Sequence, residues 1–201
     1  MIKVLALVGE SGAGKSLMAS LLAEDERFNY IQSYTTREPR KVNEEGHIFT
    51  DKIVYDKHCN LNGLDGFKII VETYYDGAYY WTVSTQFKEN KINVYTIDPK
   101  GIEGLKKNKE FDILIVYLKA DQEIRINRMT KREMENHTSK NVGWDYEISR
   151  SLAWGRIAND KEAFRIVQAD YIVDANNQSS EVLEDIKKIV ERWKNEEIKC
   201  L

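Results

Sequence analysis

Cysteine and proline are scarce in this chain of 201 residues, with two of each. Cys59 and Cys200 lie far apart, which excludes a disulfide framework and a thiolate metal site and leaves two free thiols in a reducing compartment. Pro39 and Pro99 stand alone, so no proline-rich linker separates independent domains. His47, His58 and His137 do not fall at metal-ligand spacing. No apolar run reaches the roughly 20 residues that a membrane-crossing helix needs. The short apolar start leads straight into a glycine-rich loop, so it is no signal peptide. The net charge is −3, so no global field draws nucleic acid. Internal repeats and low-complexity segments are absent. These exclusions leave a cytoplasmic chain, with neither nucleic acid nor membrane as partner, large enough for one core with small inserted lobes.

The most informative segment is Gly9-Glu10-Ser11-Gly12-Ala13-Gly14-Lys15-Ser16, which has the form G-x-x-x-x-G-K-S. Its glycines permit backbone angles closed to other residues. The loop's N–H groups then turn inward as a nest for phosphate oxygens. Lys15 supplies a mobile positive charge for the β- and γ-phosphates, and the Ser16 hydroxyl a ligand for Mg²⁺. Leu17 continues into a helix whose positive end faces the same phosphates. Context supports the pattern: Ile2 to Val8 reads as a buried strand, and Ser16 to Ala23 as a helix with Leu17, Leu21 and Leu22 on one face. ATP and Mg²⁺ are the expected cofactors.

Further along, Tyr30 to Thr36 reads as a second strand and Arg37 to Gly46 as a loop. Lys68 to Tyr75 and Ala78 to Val83 are β-rich arms around an Asp76-Gly77 turn, so residues 47–83 read as a small antiparallel lobe. Ile92 to Ile97 is a strand that ends at Asp98-Pro99, a helix start. Ile113 to Leu118 is a buried strand. Asp121 caps a helix on which Arg125, Arg128 and Arg132 share one face, the default for such a row being a solvated surface. Trp144 to Phe164 reads as a long helix carrying Arg150 and Arg156, Tyr171 to Val173 as the last strand, and Ser179 or Ser180 as the cap of a final helix. Alternating strands and helices predict a three-layer, mostly parallel α/β fold.

A second constellation is Ser33-Tyr34-Thr35-Thr36-Arg37-Glu38-Pro39-Arg40, with Gly46 beyond. Two guanidinium groups three residues apart after a strand suit a second phosphate; a solvated basic turn is the plain alternative. This T-T-R-x-x-R segment with its following glycine resembles the acceptor-phosphate signature of guanylate kinases. Gly77-Ala78-Tyr79-Tyr80-Trp81-Thr82 is similar to that family's G-N-Y-Y-G-[ST], and Asp98-Pro99-Lys100-Gly101 to its D-x-Q-G turn. Tyr117 to Ala120 with Glu123, Arg128 and Arg132, and Asp170 to Asp174 with the last helix, resemble the rest of it, so the likeness runs along nearly the whole chain.

The resemblance implies a P-loop NTPase fold with an inserted β-rich lobe for the nucleoside monophosphate and a helical lid. It divides one domain, 1–201, into core (1–32, 91–127, 151–201), lobe (33–90) and lid (128–150). It implies transfer of the γ-phosphate of ATP to GMP or dGMP. Gly9 to Leu17 would bind ATP, with Lys15 acting on its phosphates. Ser33, Arg37, Arg40 and Tyr80 would hold the acceptor phosphate and Thr82 would face the base. Asp98 would orient Mg²⁺ alongside Ser16. Arg132 and Arg150 would close from the lid. The partners implied are nucleotides, in a monomer or homodimer. Three positions depart from the family. Phe49 stands for a tyrosine that touches the acceptor phosphate. Val71, with Glu72 beside it, stands for a carboxylate that binds the guanine edge. Trp81 stands for a glycine and would reshape the pocket. Another (deoxy)nucleotide or a ribose phosphate as acceptor, and a non-catalytic binding module, are the alternatives.

Overall fold

The structure, a computed structural model, describes residues 1–39, 44–75, 77–138 and 145–199. Its first strand, β1 (Ile2–Val8), is fully buried from Val4 to Val8. An unbroken apolar run has no polar face to offer water, so both sides must be covered, as in a central strand of a parallel sheet. The glycine loop leads into α1 (Lys15–Ala23). Next come β2 (Phe28–Ile31) and β3 (Ser33–Thr35), which belong to different sheets. Residues 30–36 are therefore not the single strand expected. The break falls at Gln32, whose carbonyl accepts the Gln86 side-chain amide at 2.7 Å, so the interruption leaves no orphaned carbonyl there.

A second sheet has the order β4-β3-β6-β5. It is built from β3, β4 (His47–Phe49), β5 (Ile69–Tyr75) and β6 (Ala78–Val83). The β5/β6 hairpin is antiparallel from Ile69 opposite Val83 to Tyr75 opposite Ala78, as expected, and β3/β6 is antiparallel too. The β3/β4 pair is parallel, so the lobe is mixed rather than purely antiparallel. The connection between those strands is long enough to return the chain to the end of β3 where it began, which parallel pairing requires. Within the stretch read as β-rich lies a helix, α2 (Lys52–Leu61). Asp51 caps it by accepting the Val54 amide at 3.0 Å. Ile53 and Val54, strand-formers by propensity, hid it from the sequence reading.

The chain continues through β7 (Ile92–Thr96), α3 (Pro99–Lys106), β8 (Phe111–Lys119), α4 (Gln122–Thr138), α5 (Tyr146–Ala163), β9 (Tyr171–Asp174) and α6 (Ser179–Lys199). The larger sheet has the order β2-β7-β1-β8-β9, and its β2/β7 and β8/β9 pairs are parallel. This is an α/β fold with a parallel sheet. Asp76 and Trp144, expected in the hairpin turn and at the start of α5, lie outside the described residues. The carbonyl of Gln178 takes the amides of Glu181 and Val182, so Gln178, not Ser179 or Ser180, holds the cap position of α6.

Two compact units make up the chain, Met1–Ala6 with Ala19–Leu114, and Leu7–Met18 with Ile115–Leu201. The first contains an aromatic cluster around Trp81, which is wholly buried. Tyr34 stacks on the Trp81 ring at 5.4 Å, Tyr55 meets it edge-on at 5.1 Å, and the indole N–H donates to His58 Nδ1 at 2.9 Å. The same unit is pinned by Asn93, which is fully buried. Its amide oxygen accepts from Asn29 and from the Lys88 N–H, both at 2.8 Å. Its NH₂ donates to the carbonyls of Lys3 and Lys88 at 3.0 and 2.9 Å. In the second unit, Ile126, Met129, Ala153 and Ile157 form the seam between α4 and α5.

Replacing Asn93 by Ala strands several of these buried groups, so equilibrium unfolding should show a loss on the order of 3 kcal/mol. His58 gives a pH-dependent prediction. Burial, helped by the neighbouring charge of Lys57, lowers its pKa below the ordinary 6.5. The neutral ring accepts the Trp81 N–H and a protonated one cannot. The unfolded chain therefore takes up the proton first, and the His58 contribution is complete above pH about 6.5 and shrinks as pH falls through that value. Thermal melting from pH 8 to 5.5 should drop more steeply for the wild type than for His58→Gln.

Candidate active site

The phosphate loop belongs to the second unit. Gly12 and Gly14 have φ of +82° and +98°, the conformation that turns successive N–H groups to one side. A side chain on Gly14 would project into open space, whereas one on Gly12 would meet the Arg125 carbonyl oxygen at 2.7 Å. Helix α1 starts at Lys15, whose ammonium donates to the carbonyls of Gly9 and Glu10. Ser16 follows on its first turn. A loop with two left-handed glycines, one lysine, one hydroxyl and a helix N-terminus fits a magnesium-bound triphosphate.

Beneath the loop lies an ionic cluster. Arg125, 4% exposed, donates from Nη2 to Glu10 at 3.0 Å and sits 3.7 Å from Asp160. Asp160 takes the Ser11 N–H at 2.6 Å and the Ser11 hydroxyl at 3.2 Å. The Tyr117 hydroxyl donates to Glu10 at 3.3 Å, and burial followed by the Glu10 charge raises the Tyr117 pKa. Asp160 was not among the residues expected from sequence, because a carboxylate inside a helix carries no local signal. Arg125, Arg128 and Arg132 share a helix, but Arg125 is buried while Arg128 and Arg132 are exposed. Arg150, on α5, donates to Glu123 on α4 at 2.8 Å, and that hydrogen bond raises its pKa.

The first unit holds a cavity of about 180 Å³. Ser33, Val71, Tyr80 and Asp98 line it, together with His47 and Tyr95. The Ser33 hydroxyl is 3.1 Å from the Tyr95 hydroxyl, beside Thr82. Burial pushes the Tyr95 phenol above the usual tyrosine range, so it stays protonated at neutral pH. Asp98 caps α3 through the Gly101 N–H at 2.6 Å, with Pro99 at the first helical position. Strand alternation sorts the neighbours. Val71, Thr73 and Tyr75 line the cavity, while Glu72 turns the other way and accepts the Tyr55 hydroxyl at 2.7 Å. The pairing register slips between Ile69 and Val71, upstream of Glu72, and does not bring Glu72 in. Trp81, expected to reshape the pocket, packs in the aromatic cluster and is not among the described residues that line this cavity.

Arg37 sits beside a second, more open cavity of about 690 Å³ that Phe49 also lines. Its guanidinium grips Glu44 with both Nη atoms at 3.2 and 2.9 Å and lies 5.1 Å over the Phe49 ring. Burial works against the charge, but Glu44, with help from Tyr80, outweighs it and raises the Arg37 pKa. Arg40, its expected partner, lies outside the described residues.

A family model for guanylate kinase matches residues 1–193. The chain belongs to the guanylate kinase family. Membership makes it a phosphotransferase, a nucleoside monophosphate kinase. It is 26% identical to the guanylate kinase of Helicobacter pylori strain HPAG1, over 97% of each chain. It is 30% identical to that of Clostridium acetobutylicum, over 68% of this chain and 66% of the other. The solved guanylate kinase of Anaplasma phagocytophilum shares the fold at a TM-score of 0.59, with 17% identity over 96% of this chain and 88% of that one. Among the described residues no helix is long and apolar enough to cross a membrane.

Gly12 offers a direct check on the loop. Gly12→Ala combines a left-handed backbone, costing about 1–2 kcal/mol for a residue with a Cβ, with the contact against Arg125. Nucleotide titration should show weakened ATP binding for that variant, together with a lower melting temperature.

Proposed function

We propose that the chain is an ATP-dependent nucleoside monophosphate kinase that transfers the γ-phosphate of ATP to GMP or dGMP in the cytoplasm. The observation that carries this reading is the intact loop Gly9–Ser16, with its two left-handed glycines, in a chain matched to guanylate kinase over residues 1–193. A non-catalytic binding module has no need of the lysine and hydroxyl that handle a transferable phosphate.

The work asked of the protein is placement and charge neutralisation, because phosphoryl transfer needs little covalent chemistry from side chains. Gly9 to Leu17 would hold the donor, with Lys15 on its β- and γ-phosphates. When bound, Mg²⁺ bridges and neutralises phosphate oxygens; Ser16 would ligate it and Asp98 would orient it through water. Ser33, Arg37, Arg40 and Tyr80 would hold the acceptor phosphate, with Phe49, Val71 and Thr82 forming the rest of that site. Arg132 and Arg150 would approach the transferring group. We assign residues 33–90 to the acceptor lobe, 128–150 to a lid and the remainder to the core.

One observation favours a second reading of the acceptor. Val71 lines the cavity while Glu72 is bonded to Tyr55 behind it, so among the described residues the one carboxylate on the cavity wall is Asp98, and it caps α3. Guanine presents an edge rich in donors, and a pocket with few acceptors for that edge discriminates weakly in its favour. Another (deoxy)nucleoside monophosphate or a ribose phosphate then becomes the substrate.

A coupled assay of ADP release, run over a panel of ribo- and deoxynucleoside monophosphates, separates the readings. Turnover with GMP or dGMP, falling on the order of 10³-fold in Lys15→Ala, is expected. Turnover confined to another acceptor selects the second reading, and no turnover with any acceptor rejects the kinase assignment.

A further inference from the structure

We propose that Asp160 is a positioning residue for the phosphate loop and that, with Arg125, it ties the loop to helices α4 and α5. The inference rests on the loop being the ATP site. Asp160 grips Ser11 at two points, its backbone N–H at 2.6 Å and its hydroxyl at 3.2 Å. That fixes the rotation of the Glu10–Ser11 peptide, one residue before Gly12. On the other side of that peptide, Glu10 is held by Arg125 at 3.0 Å and by the Tyr117 hydroxyl at 3.3 Å. Residues 10 and 11 are thus anchored from below, and the Ala13 N–H closes the turn onto the Glu10 carbonyl at 3.1 Å, so the path into Gly12 and Gly14 starts from a fixed base. The Arg125 carbonyl also abuts Gly12, so the same residue limits the loop from its backbone and from its side chain.

Charge supports a permanent strut rather than a repulsive gate. The negative charges of Glu10 and Asp160 both face the positive Arg125 guanidinium, at 3.0 and 3.7 Å, so each carboxylate has an opposite charge beside it. A guanidinium whose side chain is 5% exposed is costly to bury without partners, and Glu10 at 3.0 Å and Asp160 at 3.7 Å supply them. The strut has a mechanical consequence, because Arg125 shares α4 with Arg132, and Asp160 shares α5 with Arg150. The conformation of the loop is coupled to the two helices that carry the candidate lid arginines.

The test compares the wild type with Asp160→Ala and Asp160→Asn by calorimetric titration with MgATP, thermal melting, and hydrogen exchange of the Gly9–Lys15 segment without nucleotide. Asp160→Ala should bind ATP about tenfold more weakly or worse and exchange faster in the loop. Asp160→Asn keeps an oxygen for the Ser11 N–H and should return both readouts to within about threefold of wild type. Tighter ATP binding in both variants would mean that the carboxylate acts by repulsion, and would overturn the proposal. So would a lowered melting temperature in Asp160→Ala with unchanged ATP affinity, which marks a merely structural contact. If the wild type itself bound no ATP, the kinase reading would fail, and unchanged loop exchange in Asp160→Ala would separately refute the strut. Should Asp160→Ala not fold, Asp160→Ser, too short to reach Ser11, takes its place.

Discussion

Binding a polyanion through backbone amides demands a peptide path that ordinary residues resist. In this chain the path is bought with left-handed glycines and then braced by a buried charge. Gly12 has no space for a Cβ because the Arg125 carbonyl occupies it, and the Arg125 guanidinium holds Glu10 and lies close to the Asp160 carboxylate. The ion cluster is expensive to desolvate, and it persists because every charge in it has an opposite neighbour.

The first unit manages its polar groups differently. Asn93 is saturated with hydrogen bonds, the Trp81 indole has His58, and the Tyr55 hydroxyl has Glu72. Arg37 is gripped by a carboxylate in a two-pronged geometry that a phosphate also satisfies. In the proposed reaction a guanidinium already held in that geometry would lose little side-chain entropy when the acceptor phosphate docks.

What the sequence made legible follows from how local each signal is. The glycine loop, the strand before it, the β5/β6 hairpin and the Asp98-Pro99 helix start are written in contiguous residues, and they stand where the pattern places them. The side of β5 on which Val71 stands was legible too, because alternation along a strand is local. Helix α2 was hidden by β-branched residues whose propensity yields to the burial of Tyr55. The split of residues 30–36 between two sheets depends on partners far along the chain. Asp160 lies 149 positions from Ser11, and no periodicity or motif links two such residues.

Strand β5 divides its labour by parity. Odd positions 71, 73 and 75 look into the cavity, while Glu72 and Tyr74 are engaged behind it with Tyr55 and Tyr79. Selection can therefore rewrite the three cavity-facing residues without disturbing the aromatic backing that stabilises the hairpin. In the proposed function such a strand would let the acceptor wall change residue by residue while the aromatic scaffold behind it stayed fixed.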